Sequence, residues 1–164
     1  PPILATRNTY KKLGKEPNLY RPAGEALRRR ILNNVELYKI NTLVDAVNLI
    51  SLKIGHSVGG FDANLIQGSL ELGVGQKDEK FEAIGRGFLN IENLPVYRDS
   101  IGGIGTPTSD EERTKINSNT NKFLMLLNAY SGNEGLDEAI EYSKNILEKY
   151  VNAENMKVRK IERE

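Results

Sequence analysis

The 164 residues include no Cys, no Trp and a single His, with 23 Lys/Arg against 22 Asp/Glu. That composition is ordinary for a globular chain. It excludes disulfides, thiolate nucleophiles, iron–sulfur clusters and Cys-ligated zinc, and with His56 alone it leaves no two-His metal site within one chain. The near-neutral total hides an asymmetry: residues 1–39 carry nine basic and three acidic side chains, and the rest carries fourteen basic and nineteen acidic. A basic head thus sits on an acidic body, a pattern that points to an anionic partner such as RNA.

Pro1-Pro2 opens the sequence without an initiator Met, which predicts that residues precede it. Residues 3–13 carry a weak helical pattern ended by Gly14 and Pro17. Pro22 is placed to open a second helix over Ala23 to Asn34. Asn41 is an N-cap for a helix over 42–54, whose stripe of Leu43, Val47, Ile50 and Ile54 stops at Gly55. On that helix Asp45 and Asn48 face away from the stripe, and with Asn41 and Asp62 they are expected to tie helix to loop. His56 reads as a surface or capping residue, followed by a turn at Ser57-Val58-Gly59-Gly60.

From about 57 to 130 the pattern changes to short apolar runs at 69–74, 80–84, 88–91, 95–98 and 123–130, punctuated by most of the fifteen glycines. Gly102-Gly103-Ile104-Gly105 reads as a Gly-rich hairpin or a loop whose bare backbone N–H groups approach a ligand, and Asp110-Glu111-Glu112 as an exposed acidic loop tip. A helix is predicted over 134–151, with acidic residues at its start and Lys149 at its end. Residues 152–164 form a polar tail in which 156–161 alternate and could add a strand. Helices, then strands, then a helix imply a single α+β domain with a central, mostly antiparallel sheet flanked by helices.

Basic residues Lys11, Lys12, Lys15, Arg28, Arg29 and Arg30 are candidates for contacts to RNA phosphates. Three consecutive arginines cannot share one helix face, so at least one is exposed and another pairs with Glu25 or Glu36. The longest apolar run, Phe123 to Leu127, is too short for a membrane span, and no signal peptide opens the sequence. The expected setting is the cytoplasm, with neither metal nor cofactor.

The block Asn41-Thr42-Leu43-Val44-Asp45-Ala46-Val47-Asn48-Leu49-Ile50-Ser51-Leu52, then Gly55, then Gly59-Gly60-Phe61-Asp62, resembles a known motif. It is similar to the B3/4 tRNA-editing module in the β chain of bacterial phenylalanyl-tRNA synthetase, which reads Asn-x-x-Val-Asp-x-x-Asn-x-x-x-Leu-x-x-Gly and then Pro-x-His-Ala-Phe-Asp. Arg113-Thr114-Lys115-Ile116 with Thr120, and Ala26-Leu27-Arg28-Arg29-Arg30, resemble stand-alone relatives of that module. The resemblance implies a B3/4-like α+β fold, tRNA or aminoacyl-tRNA as partner, and hydrolysis of the ester that links a wrong amino acid to its tRNA. It implies backbone donors at Gly59, Gly60, Gly102 and Gly103, a pocket lined by Phe61 and Leu126, and polar contacts from Thr120 or Asn128. Two positions depart from the motif. The family's His aligns with Gly59, and its strand-borne Glu, partner of the tyrosine hydroxyl, aligns with Leu126. The competing expectation is a non-catalytic small-ligand or interaction module that kept the fold and lost the editing residues.

Overall fold

A computed structural model describes residues 2–162. Four helices carry the α part: α1 (Pro2–Lys12), α2 (Ala23–Leu32), α3 (Thr42–Ile54) and α4 (Leu136–Val151). Helix α3 starts where Asn41 turns its side-chain oxygen onto the Val44 N–H at 2.9 Å, and stops at Gly55 with φ +73°, the left-handed cap glycine adopts without strain. The predicted stripe is the buried face, with Ile50 and Val47 at its centre. Helix α4 packs Ala139, Ser143 and Leu147 inward, mainly against α3.

Seven short strands follow α3: β1 (Ser57–Asp62), β2 (Glu71–Val74), β3 (Glu82–Ala83), β4 (Gly87–Phe88), β5 (Pro95–Arg98), β6 (Gly103–Gly105) and β7 (Phe123–Asn128). Every pairing is antiparallel, and the strands divide into three small sheets: β1–β7, β2–β5–β6 and β3–β4. A core of Phe81, Ala83, Ile91, Leu94 and Val96 closes on Tyr10 from α1. Each of the Phe, Ile, Leu and Val side chains contributes about 1.5–3 kcal/mol by leaving water. The fully enclosed Tyr10 hydroxyl donates to Thr108 Oγ1 at 2.8 Å, and Thr108 in turn donates to the Tyr20 carbonyl at 2.8 Å. The first helix is thereby tied to the loop after β6, and the buried hydroxyl is satisfied.

Three local expectations give way. Ser57 to Gly60 is strand rather than turn, because β7 offers a full six-residue register that satisfies this backbone. Gly103 to Gly105 is the buried returning strand of a hairpin with β5, so the Gly-rich hairpin holds and the ligand-facing loop gives way. Residues 156–161 form no strand, since no neighbouring edge pairs with them, and Ile161 is left exposed.

Candidate functional site

Five of the expected site residues lie on the β1–β7 pair, and four of them share a face, Gly60 pointing the other way. Gly59 lies opposite Leu126, Phe61 opposite Leu124 and Ser57 opposite Asn128, and the two-residue period puts all six on one face. That face meets the second sheet at Gly105. A Cβ placed on Gly105 would lie 2.6 Å from the Phe61 ring and 2.8 Å from Asp110 Oδ1, and one on Gly59 would lie 2.9 Å from the same ring. The two glycines thus permit an aromatic ring and a carboxyl group to lodge between the sheets. Asn128 is bound on both sides: its Oδ1 accepts from the Tyr97 hydroxyl, and its Nδ2 lies 3.4 Å from the Ser57 carbonyl.

Asp110 was legible only as part of an acidic loop tip. In the structure Asp110 is half-buried, with its carboxyl set against Gly105 and within reach of the Gly60 N–H, and it has no basic side chain as a salt-bridge partner among the described residues. Burial pushes its pKa up to about 8, against 3.8 for a free aspartate, with the Gly60 bond pulling the other way. Eleven residues earlier, Asp99 shows the opposite solution. Its enclosed carboxylate takes both Arg113 Nη atoms at 2.8 and 2.9 Å and the backbone N–H groups of Gln67, Ile101 and Gly102. Although burial alone would raise its pKa, these donors hold it well below the usual carboxylate range.

The other expected positions fall elsewhere. Gly103 is packed under Phe81, whose ring would lie 3.0 Å from an added Cβ. Gly102 is open, yet its N–H points at Asp99 at 3.2 Å. Thr120 donates to Asp62 Oδ2 at 3.0 Å and accepts from the Asn117 N–H, closing a turn rather than facing a pocket. Asp45 Oδ1 accepts from the Ile40 N–H at 3.0 Å, the expected tie between helix and loop.

His56 is 3 % exposed, so it is not the expected surface residue. Desolvation lowers its pKa, partly offset by a hydrogen bond to the Asn128 backbone, and its Nδ1 has no partner. The imidazole lines a groove of about 600 Å3 with Lys53, Ser131, Glu134, Glu138 and Tyr142. That groove lies at the corner between α3, β1 and the start of α4, not over Leu126.

Most of the basic head is engaged internally. Lys15 is 7 % exposed, gives its ammonium to the Asn90 carbonyl at 2.9 Å and lies 3.7 Å above the Tyr20 ring. Arg28 caps the Leu52 carbonyl near the end of α3, and Arg30 bonds the Glu36 carbonyl while stacking on Tyr38. Lys11, Lys12 and Arg29 are exposed. Among the described residues no helix is long and apolar enough to cross a membrane, and no three His, Cys, Asp or Glu side chains converge to hold a metal ion.

A sequence profile of the B3/4 domain matches residues 5–157, nearly the whole chain. The chain belongs to the B3/4 domain family. A relative, the phenylalanine–tRNA ligase beta subunit of Bartonella henselae, is 32% identical over 106 residues. The match takes in 60% of this chain and only 13% of that protein, so this B3/4 domain spans about an eighth of its relative's length. The α+β fold with antiparallel sheets agrees with the family and with the resemblance carried by residues 41–62.

Proposed function

We propose that this B3/4 domain is an RNA-binding domain whose partner is tRNA or the aminoacylated end of a tRNA, working in the cytoplasm. The observation that carries the reading is the similarity to a subunit of a tRNA ligase. The concentration of positive charge in residues 1–39, with Lys11, Lys12 and Arg29 left in solvent, supports it. Contacts of this kind bind the phosphate backbone without reading sequence, and they weaken steeply with salt. The test is tRNA binding by fluorescence anisotropy between about 50 and 200 mM salt. Affinity that falls with salt is expected; a salt-independent affinity, or none, refutes the reading.

An esterase activity on misacylated tRNA is the catalytic form of the same function. Water would add to the ester carbonyl and expel the tRNA hydroxyl, releasing a free amino acid. In this chain Gly59 and Leu126 present no polar side chain to that chemistry, and the N–H groups of Gly60 and Gly102 already serve Asp110 and Asp99. Those engaged donors favour a second reading, a module that binds its ligand and does not cleave it. Deacylation of Tyr-tRNA and Ser-tRNA above the buffer rate would establish the first. Thermal stabilisation by a free amino acid, with no deacylation and no RNA binding, would establish the second.

A further inference from the structure

The basic head contains one cluster whose charge the fold does not balance. Glu25, in the first turn of α2, receives Arg7 Nη1 on both carboxylate oxygens at 2.9 and 3.0 Å. Arg21 Nε stands 3.6 Å and Arg29 Nε 3.8 Å from the same Glu25 oxygen. Among the described residues no other carboxylate lies within 4.0 Å of these three arginines. Three cations therefore surround one anion, an excess of two charges.

Helix electrostatics account for Arg29, in the last turn of α2, but not for Arg21. Cations stabilise the carboxyl end of a helix and are unfavourable at its amino end, where Arg21 stands one residue before Pro22. That end has no side-chain cap. Arg21 Nε is buried with no hydrogen-bond partner, while Arg7 alone has its second Nη satisfied, by Asn18 at 2.8 Å. Exposure rises across the cluster, from 19% for the Arg7 side chain through 32% for Arg21 to 55% for Arg29. The outer two guanidinium groups are thus held near each other by Glu25, reach solvent, and retain unused N–H donors.

We propose that Arg7, Arg21 and Arg29, gathered by Glu25, form a phosphate site that seats a phosphodiester of the RNA backbone. The inference rests on the RNA-binding reading and gives it a place on the surface. Planar guanidinium forks match phosphate oxygens in a way a lone ammonium does not. Glu25 offsets the repulsion of drawing the arginines together, so the phosphate meets donors already in position. Arg28 and Arg30, adjacent in sequence, take no part because they bond to backbone carbonyls.

The test compares the wild-type chain with R21A/R29A and with K77A/K80A, which removes the same charge from the β2–β3 connection. Each phosphate contact contributes about 0.7–0.9 to the slope of log affinity against log salt. R21A/R29A is expected to flatten the slope by about that amount per lost contact and to weaken tRNA binding roughly tenfold or more, with K77A/K80A close to wild type. R29A, at the most exposed position, repeats the measurement with the least disturbance to folding. Wild-type binding with an unchanged slope in R21A/R29A and R29A overturns the site and leaves the RNA reading standing. A wild type that binds no RNA refutes that reading. Inorganic phosphate is then the probe, read from the arginine side-chain resonances. Perturbation confined to these three arginines keeps the anion site with free phosphate as its source; no perturbation overturns it.

Discussion

Replacing Asp110 with Asn tests whether the carboxyl between the sheets holds a proton at neutral pH. The native group titrates at about 8 and the unfolded one near 3.8, so between those values the native state binds the extra proton. Stability conferred by this group is complete below pH 3.8, falls as pH rises, and is gone above pH 8. Each tenfold difference in proton affinity is about 1.4 kcal/mol, which sets a ceiling near ~6 kcal/mol for the whole interval. Water reaching the group as the backbone relaxes reduces this to about 2–4 kcal/mol. Asn has nearly the same shape, keeps an oxygen for the Gly60 N–H and never ionises. The variant should therefore gain on the wild type as pH rises, exceeding it by about 2–4 kcal/mol at pH 9.

Other groups titrate in the same window, and the comparison removes them. His56 has a lowered pKa, so its contribution grows as pH rises toward its ordinary 6.5, opposite in sign to that of Asp110. The contribution of Asp99 is lost as pH falls below the ordinary carboxylate value of 3.8, outside the useful range. Both are common to the two proteins. The assay is urea unfolding of each at several values between pH 5 and 9.5, with the difference in stability plotted against pH. A difference that stays flat across that range refutes the buried, protonated carboxyl, whatever its absolute size.

Three further substitutions probe the sheet contact, the enclosed ion pair and the helix cap. G105A puts a methyl group 2.6 Å from the Phe61 ring and 2.8 Å from Asp110, and should cost about 1–3 kcal/mol in chemical unfolding; a neutral result would mean that the two sheets are not in contact there. R113L removes the partner of the enclosed Asp99 carboxylate and should cost about 3–5 kcal/mol, measured by urea unfolding at pH 7. N41A takes away the cap of α3 and should cost about 1 kcal/mol, seen as a lower melting temperature with unchanged helix content after cooling.

Where local chemistry decided the structure, the sequence was readable. Asn41 and Gly55 bound α3 because their side chain and backbone freedom act within a few residues, and the stripe between them needed only a period of 3.6. The same holds for the helix-to-loop tie of Asp45. His56 and Asp110 depart from expectation for one shared reason: each meets a backbone group that lies far away in sequence. Asn128 is 72 residues from His56, and Gly60 is 50 residues from Asp110. Spacing within a short window carries no trace of such partners. Glycines at 59 and 105 did leave a trace, but it read as turn and loop. A residue without a side chain can mean either a bend or a space reserved for another group, and only the paired register of β1 with β7 selects the second meaning. The basic head follows the same logic. Its net charge was countable, yet which cations face solvent depended on carbonyls at Leu52 and Asn90. After those are engaged, two arginines beside Glu25 retain free donors, and it is this remainder rather than the total charge that makes a phosphate contact local enough to map by substitution.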